Sequence, residues 1–307
     1  LGTPSFRRTL PEHAVYRLGL SATPERHFDP VGTSDLYRYF GDTVFEFTLA
    51  DAIAAGALVP YRYHPVLVTL RNEEEEEYLR LTGRIARLSR PMDDLVPESA
   101  QGPLQMVLFE RARLVGRASA KIAALATIME PLSGTTHNLI YCADSPVDPG
   151  RAPSQLDAVV AVLGRTLEMR VNTFTHQTSP ADRDERRRRL ANGDLQALAA
   201  IRCLDEGIDI PEAQRGFILA STTNPRQFVQ RRGRLLRPSP GKRRAELYDF
   251  VVVPPDVSAD QGIWQTERRL VARELMRVLE LADAAENGPE ALASLLDLRK
   301  RYHLLDM

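Results

Sequence analysis

Residues 138–142 read Asn138-Leu139-Ile140-Tyr141-Cys142, and residues 197–201 read Ala197-Leu198-Ala199-Ala200-Ile201. Both are short, almost wholly apolar runs, the pattern of a strand buried on both faces of a parallel sheet. Between them lie a loop rich in proline and glycine at 144–154, an amphipathic helical pattern at 155–168, and a strand pattern at 171–174. A second helix follows: Ser179 is suited to its N-cap, Pro180 to N1 and Asp182 to N3, and Gly193 marks its stop. Strands alternating with helices predict an α/β fold whose parallel sheet carries helices on both faces and is joined by right-handed crossovers.

The same rhythm extends outward. Further strands are expected at 15–20, 43–47, 64–70, 216–220 and 245–253. Helices are expected at 49–56, where Gly56 stops the run, at 104–129 with a break near Gly116, at 224–236, 263–285 and 289–305. Asn72 with Glu75 at N3 forms a capping-box pattern, so 73–90 reads as a helix. Its acidic start, residues 73–77, reads as a solvated face whose charge suits the helix dipole. Residues 90–102 read as a proline-bearing loop, and Pro254-Pro255 ends the core.

Composition sets loose bounds. The 307 residues suggest two domains, and 43% apolar with 26% charged residues is ordinary for a globular protein. No apolar run nears the ~20 residues of a membrane span, and the N-terminus lacks a signal-peptide pattern. Two cysteines, Cys142 and Cys203, make no disulfide framework and point to a reducing, cytoplasmic setting. The six histidines show no metal-ligand spacing, so no metal site is expected in this chain. With a net charge of -1, any nucleic-acid binding must come from a local groove.

Chemistry concentrates in Gln230-Arg231-Arg232-Gly233-Arg234-Leu235-Leu236-Arg237. On a helix, Arg234 and Arg237 leave one face at i and i+3 and converge on a single target. Their planar, permanently charged forks suit phosphate oxygens. Gly233 leaves room for close backbone approach. Upstream stands Leu204-Asp205-Glu206-Gly207-Ile208-Asp209-Ile210-Pro211, and near the start Ser21-Ala22-Thr23. Arg186 to Arg189 point around most of a helix's circumference and so cannot all face one groove. They read as solvated, or as paired with Asp182, Asp184 and Glu185.

These three stretches, in that order, resemble motifs VI, V and III of superfamily 2 helicases of DEAD/DEAH type, nearest the XPB-like and restriction-helicase branch. His137-Asn138-Leu139-Ile140-Tyr141-Cys142 resembles motif IV, and Thr175-His176-Gln177-Thr178-Ser179 the turn called motif IVa. The resemblance covers residues 1 to about 253. It implies a RecA-like second domain at 61–254, preceded by the end of a first RecA-like domain at 1–60 and followed by a helical extension at 255–307. It implies that Arg234 and Arg237 are catalytic arginine fingers and that Gln230 senses phosphate. Glu206, Gly207, Asp209 and Gly233 would face the nucleotide. Asp209 is placed to accept from a ribose hydroxyl or to hold a finger arginine, or else it caps local backbone. Nucleic acid would be held by Tyr141, Asp144, Thr175, His176, Gln177, Thr178, Arg202 and Cys203, although ordinary turn chemistry accounts equally well for single residues among them. Ser21, Ala22 and Thr23 would couple nucleotide state to that grip, or else form an ST turn after a strand. The family's early motif V hydroxyl is absent here, where Ile201-Arg202-Cys203 stands, and Arg202 is a candidate substitute.

The sequence holds no Gly-x-x-x-x-Gly-Lys-Ser/Thr loop and no Asp-Glu-x-His box. The expected function is therefore the C-terminal motor lobe of an ATP-dependent DNA helicase or translocase, inactive as a hydrolase without a partner lobe that binds most of the ATP and Mg²⁺. The expected partners are DNA and the P-loop half, with subunits of a bacterial defence, restriction or repair complex, and no membrane. The rival readings are a non-hydrolysing nucleic-acid-binding or scaffolding subunit, and an RNA helicase lobe.

Overall fold

The computed structural model describes residues 9–11, 13–21, 30–89, 98–143, 154–201, 210–220, 233–256 and 260–306. Six strands form one sheet: β1 (Tyr61–Thr69), β2 (Asn138–Cys142), β3 (Val171–Phe174), β4 (Ala197–Ile201), β5 (Arg215–Ile218) and β6 (Ala245–Val253). The order is β1-β6-β5-β2-β4-β3, and every pairing is parallel. The helices are α1 (Pro30–Phe40), α2 (Leu49–Ala54), α3 (Asn72–Ser89), α4 (Glu98–Gly116), α5 (Ala120–Met129), α6 (Gln155–Ala161), α7 (Pro180–Ala191), α8 (Gln261–Asp283), α9 (Gly288–Ala293) and α10 (Leu296–Arg301).

Successive strand residues bury on opposite faces, which is why the central strands read as unbroken apolar runs. Leu139, Tyr141, Leu198, Ala200 and Ile218 join one core with α8, α9 and α10. Ile140, Cys142, Ala197, Ala199 and Phe217 join the other with α3 to α6. Helix α7 is capped as its sequence implies, Asp182 N–H donating to Ser179 Oγ at 3.1 Å, and Gly193 turns the chain at φ +79°.

The C-terminal helices are built into this domain. Val271, Leu275, Val278 and Leu281 of α8 lie in the same core as β1 and β6. Tyr61 Oη donates to the Leu281 carbonyl at 2.6 Å, and Asn287 brackets Tyr63 with two backbone bonds. Toward its other end α8 places Glu267 against Arg111 of α4 at 3.1 Å, with Tyr78 and Thr82 of α3 completing the buried group.

Several expectations are corrected. Residues 15–20 and 43–47 form no strand; Val15, Tyr16 and Val44 are 86%, 94% and 95% exposed. Apolar runs become strands only where a sheet edge accepts them, and the described sheet takes neither. The cap of α3 sits one residue earlier than read, with Arg71 N–H donating to Glu74 Oε2 at 3.0 Å. Helix α4 already begins at Glu98, inside the stretch read as a loop. Residues 155–168 divide into α6 and a π-helical turn at Val162–Thr166, and 289–305 into two short helices.

Lys121, in the first turn of α5, is fully buried, and its Nζ donates to the Leu219 carbonyl at 2.6 Å. Burial pulls its ammonium down to about 8. In the unfolded chain it keeps its proton until about 10.4. Between those values the unfolded chain binds more protons, so raising the pH from about 8 to about 10 stabilises the fold, by about 2–3 kcal/mol. Denaturant unfolding across that window should show the rise in the native chain and a flattened curve in Lys121→Met. A native curve with no slope there would contradict it.

Candidate functional site

Parallel topology sends the loops after β2, β3, β4 and β5 out of one carboxyl edge. Their ends are in step: Tyr141 pairs with both Ala200 and Ile218, and Ala200 with Phe174. From β3 to β5 the edge spans about 14 Å at the usual strand spacing.

The turn at 175–178 opens from this edge and is closed twice. Thr178 N–H donates to the Thr175 carbonyl at 3.1 Å, and Thr175 N–H to Thr178 Oγ1 at 3.0 Å. Arg183, in the first turns of α7, then braces it from behind. Its Nε donates to the Thr178 carbonyl at 2.9 Å, and its Nη2 to those of Thr175 at 3.1 Å and His176 at 3.2 Å. The guanidinium also lies over the Phe174 ring at 5.5 Å. His176 and Gln177 are left exposed at the tip. Arg186 extends the brace to the Thr173 carbonyl at 2.6 Å, whereas Arg187 and Arg188 pair with Asp184 and Glu185 on the helix surface. Sequence reading missed Arg183. The signal was an arginine one turn into a helix whose N-cap directly follows the turn, a spacing that lets a long side chain reach back to its carbonyls.

Tyr141 corrects another expectation. It is 2% exposed and belongs to the core with Leu139, because β2 is covered on both faces of the sheet. Its carbonyl accepts from the N–H groups of Leu219 and Ala220 at 3.0 and 3.2 Å. The Tyr141 side chain is thus engaged in packing and is not displayed to a nucleic acid. Next to it, burial pushes the Cys142 thiol up to about 12, which makes it inert at neutral pH.

The arginine segment lies at the opposite, amino edge. Residues 233–235 are helical, and Arg237 N–H closes the next turn on the Arg234 carbonyl at 3.4 Å. The intervening Leu235 and Leu236 are buried, so the turn is anchored by its apolar residues while Arg234 is partly exposed and Arg237 exposed. The Leu236 carbonyl accepts from Val59 N–H at 2.8 Å, just before β1. Leu235 presses on β5 near its start, where a Cβ at Gly216 would stand 2.7 Å from Leu235 Cδ2. A Cβ at Gly233 would meet no described atom within 4 Å, so packing alone does not ask for glycine there.

Ile201 ends β4 at the carboxyl edge, yet Ile210 already sits at the amino edge. Ala213 N–H bonds the Ile210 carbonyl at 3.1 Å, and Gln214 N–H bonds that of His137, just ahead of β2, at 2.9 Å. Residues 202–209 stand between these two described ends. Arg202, Cys203, Glu206, Gly207 and Asp209 lie in that stretch, outside the described residues, as do Gln230, Asp144, Ala22 and Thr23. Ser21 is described and exposed, in a segment without regular structure. The described geometry therefore sets a braced turn at one edge and a cationic turn at the other.

Residues 121–239 match the family model described as the helicase conserved C-terminal domain. Over that stretch the chain is similar to the C-terminal lobe of superfamily 2 helicases. Over 232 residues it is 25% identical to the DNA 3'-5' translocase XPB2 of Sulfurisphaera tokodaii, covering 72% of this chain and 50% of that protein. The lobe thus spans about half the length of that curated relative. Among solved structures it is similar to the SWI2/SNF2 ATPase core of Sulfolobus solfataricus in complex with dsDNA, at 14% identity, with 78% of this chain and 49% of that one covered and a TM-score of 0.47. It is also similar to the Hef helicase domain of Pyrococcus furiosus, at 13% identity, 81% and 66% coverage and a TM-score of 0.44. No described helix is long and apolar enough to cross a membrane.

Proposed function

We propose that this lobe is half of an ATP-driven DNA motor and that Arg234 and Arg237 are its arginine fingers. The observation that carries the reading is the turn at 233–237. Two buried leucines fix its backbone, two permanent cations flank them, and open space lies beside Gly233. That donor set suits a triphosphate: in phosphoryl transfer, charge spreads over the γ-phosphate oxygens, and catalysis rests on positioning and on cations placed to meet that charge. ATP hydrolysis, with Mg²⁺, supplies the free energy, and most of both would be held by a lobe that carries a P-loop.

On this reading Arg234 and Arg237 neutralise the γ-phosphate when the lobes close, and Gln230 reports its presence. Glu206, Gly207 and Asp209 border the nucleotide. Thr175, His176, Gln177 and Thr178, with Asp144, Arg202 and Cys203, hold one nucleic-acid strand by contacts that do not read sequence. Ser21, Ala22 and Thr23 belong to the first lobe's coupling element, with 61–254 as the second lobe proper and 255–307 its helical extension. The braced turn supports the grip, since pre-set carbonyl geometry presents His176 and Gln177 without an ordering cost. The similarity to a protein named as a DNA translocase favours DNA over RNA. A cytoplasmic place in bacterial defence, restriction or repair is consistent with this motor type.

The test is to combine the chain with a lobe bearing Gly-x-x-x-x-Gly-Lys-Ser/Thr and to measure ATP turnover with and without DNA. The motor reading expects DNA-stimulated hydrolysis from the mixture and none from either lobe alone. DNA binding by the mixture without any turnover would favour a scaffolding subunit instead.

A further inference from the structure

Lys242 precedes β6 and is 8% exposed. Gly241 at φ +80° and a bond from Lys242 N–H to the Ser239 carbonyl at 3.0 Å turn the chain so that this side chain runs inward. Its Nζ donates to the Leu235 carbonyl at 2.6 Å and to the Pro211 carbonyl at 2.8 Å. Those two carbonyls belong to different segments. Leu235 lies between the two candidate finger arginines, and Pro211 stands two residues beyond Asp209, at the amino edge ahead of β5. A buried ammonium at the end of a helical turn also meets the negative end of its dipole.

We infer that Lys242 is a positioning residue that sets the arginine turn relative to the Ile210–Pro211 segment ahead of β5. The inference rests on the finger reading above. A charged donor shared by two carbonyls gives two short, directional bonds, about twice as strong as neutral ones. Lys242 thus ties the 210–211 segment to the turn that carries Arg234 and Arg237. A shift at Pro211 is passed to Leu235 through the Lys242 ammonium. Among the described residues, no backbone hydrogen bond joins residues 210–211 to residues 234–237. Apolar packing of Leu235 and Leu236 keeps the turn folded, and Lys242 sets its register against the other segment.

The test uses the complete motor, with Arg237→Ala as the reference. Lys242→Met keeps the stem and removes the ammonium. It should lower DNA-stimulated kcat by roughly 10- to 100-fold, the scale of a misplaced catalytic group, with KM for ATP within about twofold of native. In the Lys242→Met/Arg237→Ala double variant the second loss should vanish, because Lys242 acts through the arginine turn. Lys242→Arg, which keeps charge and donors, should recover part of the rate. A native kcat in Lys242→Met, or full additivity with Arg237→Ala, overturns the inference. If Lys242→Met does not fold, Lys242→Arg alone decides: its displaced donors should cost several-fold in kcat at unchanged KM, and native turnover overturns the idea. If Arg234→Ala and Arg237→Ala themselves leave kcat native, it is the finger reading that has failed, which is a separate outcome from a silent Lys242.

Discussion

Replacing Arg237 with alanine in the complete motor should lower kcat for DNA-stimulated ATP hydrolysis by about 10³-fold and leave KM for ATP nearly unchanged. The expected size follows from what a finger does. Ground-state ATP is already bound by the lobe that carries the P-loop, so the guanidinium meets its charge only as the reaction proceeds. An interaction made only in the transition state appears in kcat and not in ground-state affinity. The exposed position of Arg237, on a turn whose leucines are buried, means that the substitution removes a cation without disturbing the core. Arg237→Lys should recover little, because an ammonium lacks the planar fork that reaches two phosphate oxygens at once. Equal losses in kcat and in ATP binding would argue that Arg237 holds the nucleotide throughout.

A second large effect is expected on stability. Asp249 of β6 is fully buried against α8, where Tyr63 Oη donates to Oδ2 at 2.9 Å and Arg277 forms a closer ion pair with the same oxygen. Arg277 also bonds Glu274 at 2.6 Å. Burial works against the Arg277 charge, but Asp249 and Glu274 outweigh it and hold the guanidinium above its ordinary value. Arg277→Ala strands a buried carboxylate without its ion-pair partner at the joint between sheet and helix. Losing one partner of such a pair costs about 3–5 kcal/mol, against marginal total stability. The loss should be pH-dependent. Burial already raises the Asp249 carboxyl, and removing its cation raises it further. A group whose folded value lies above its unfolded one keeps its stability contribution below the unfolded value and loses it as pH rises. The gap between Arg277→Ala and the native chain should thus narrow on going from neutral pH toward pH 4. Urea unfolding at the two pH values measures it, and a gap under about 1 kcal/mol at pH 7 would contradict it.

The parts of the fold legible in the sequence are those where one physical demand dominates. Residues 138–142, 197–201 and 245–253 are largely buried on both faces, so mostly apolar runs mark them, and their reading matches the structure to the residue. The runs at 15–20 and 43–47 look the same but meet no partner among the described strands, and pairing is not written in a single run. The acidic start of α3 offers several carboxylates to the first turn, so its cap slipped by one residue. How closely α8 packs was hidden because the pairs Glu267–Arg111 and Asp249–Arg277 join residues far apart in sequence.

At the proposed site, Arg234 and Arg237 stand out in the sequence by residue type and spacing. Arg183 and Lys242 could not, since both act on backbone carbonyls, which leave no mark on sequence. Tyr141 was misassigned because a strand end suggests a ligand edge, while β2 is covered on both faces and its ring packs in the core.

The most direct measurement is a structure of the complete motor with DNA and a transition-state mimic of ATP. The account predicts the guanidiniums of Arg234 and Arg237 at charge-assisted bonding distance, about 2.7–2.9 Å, from oxygens of the γ-phosphoryl mimic. Both side chains pointing into solvent, on a closed assembly with DNA at the 175–178 turn, would contradict it.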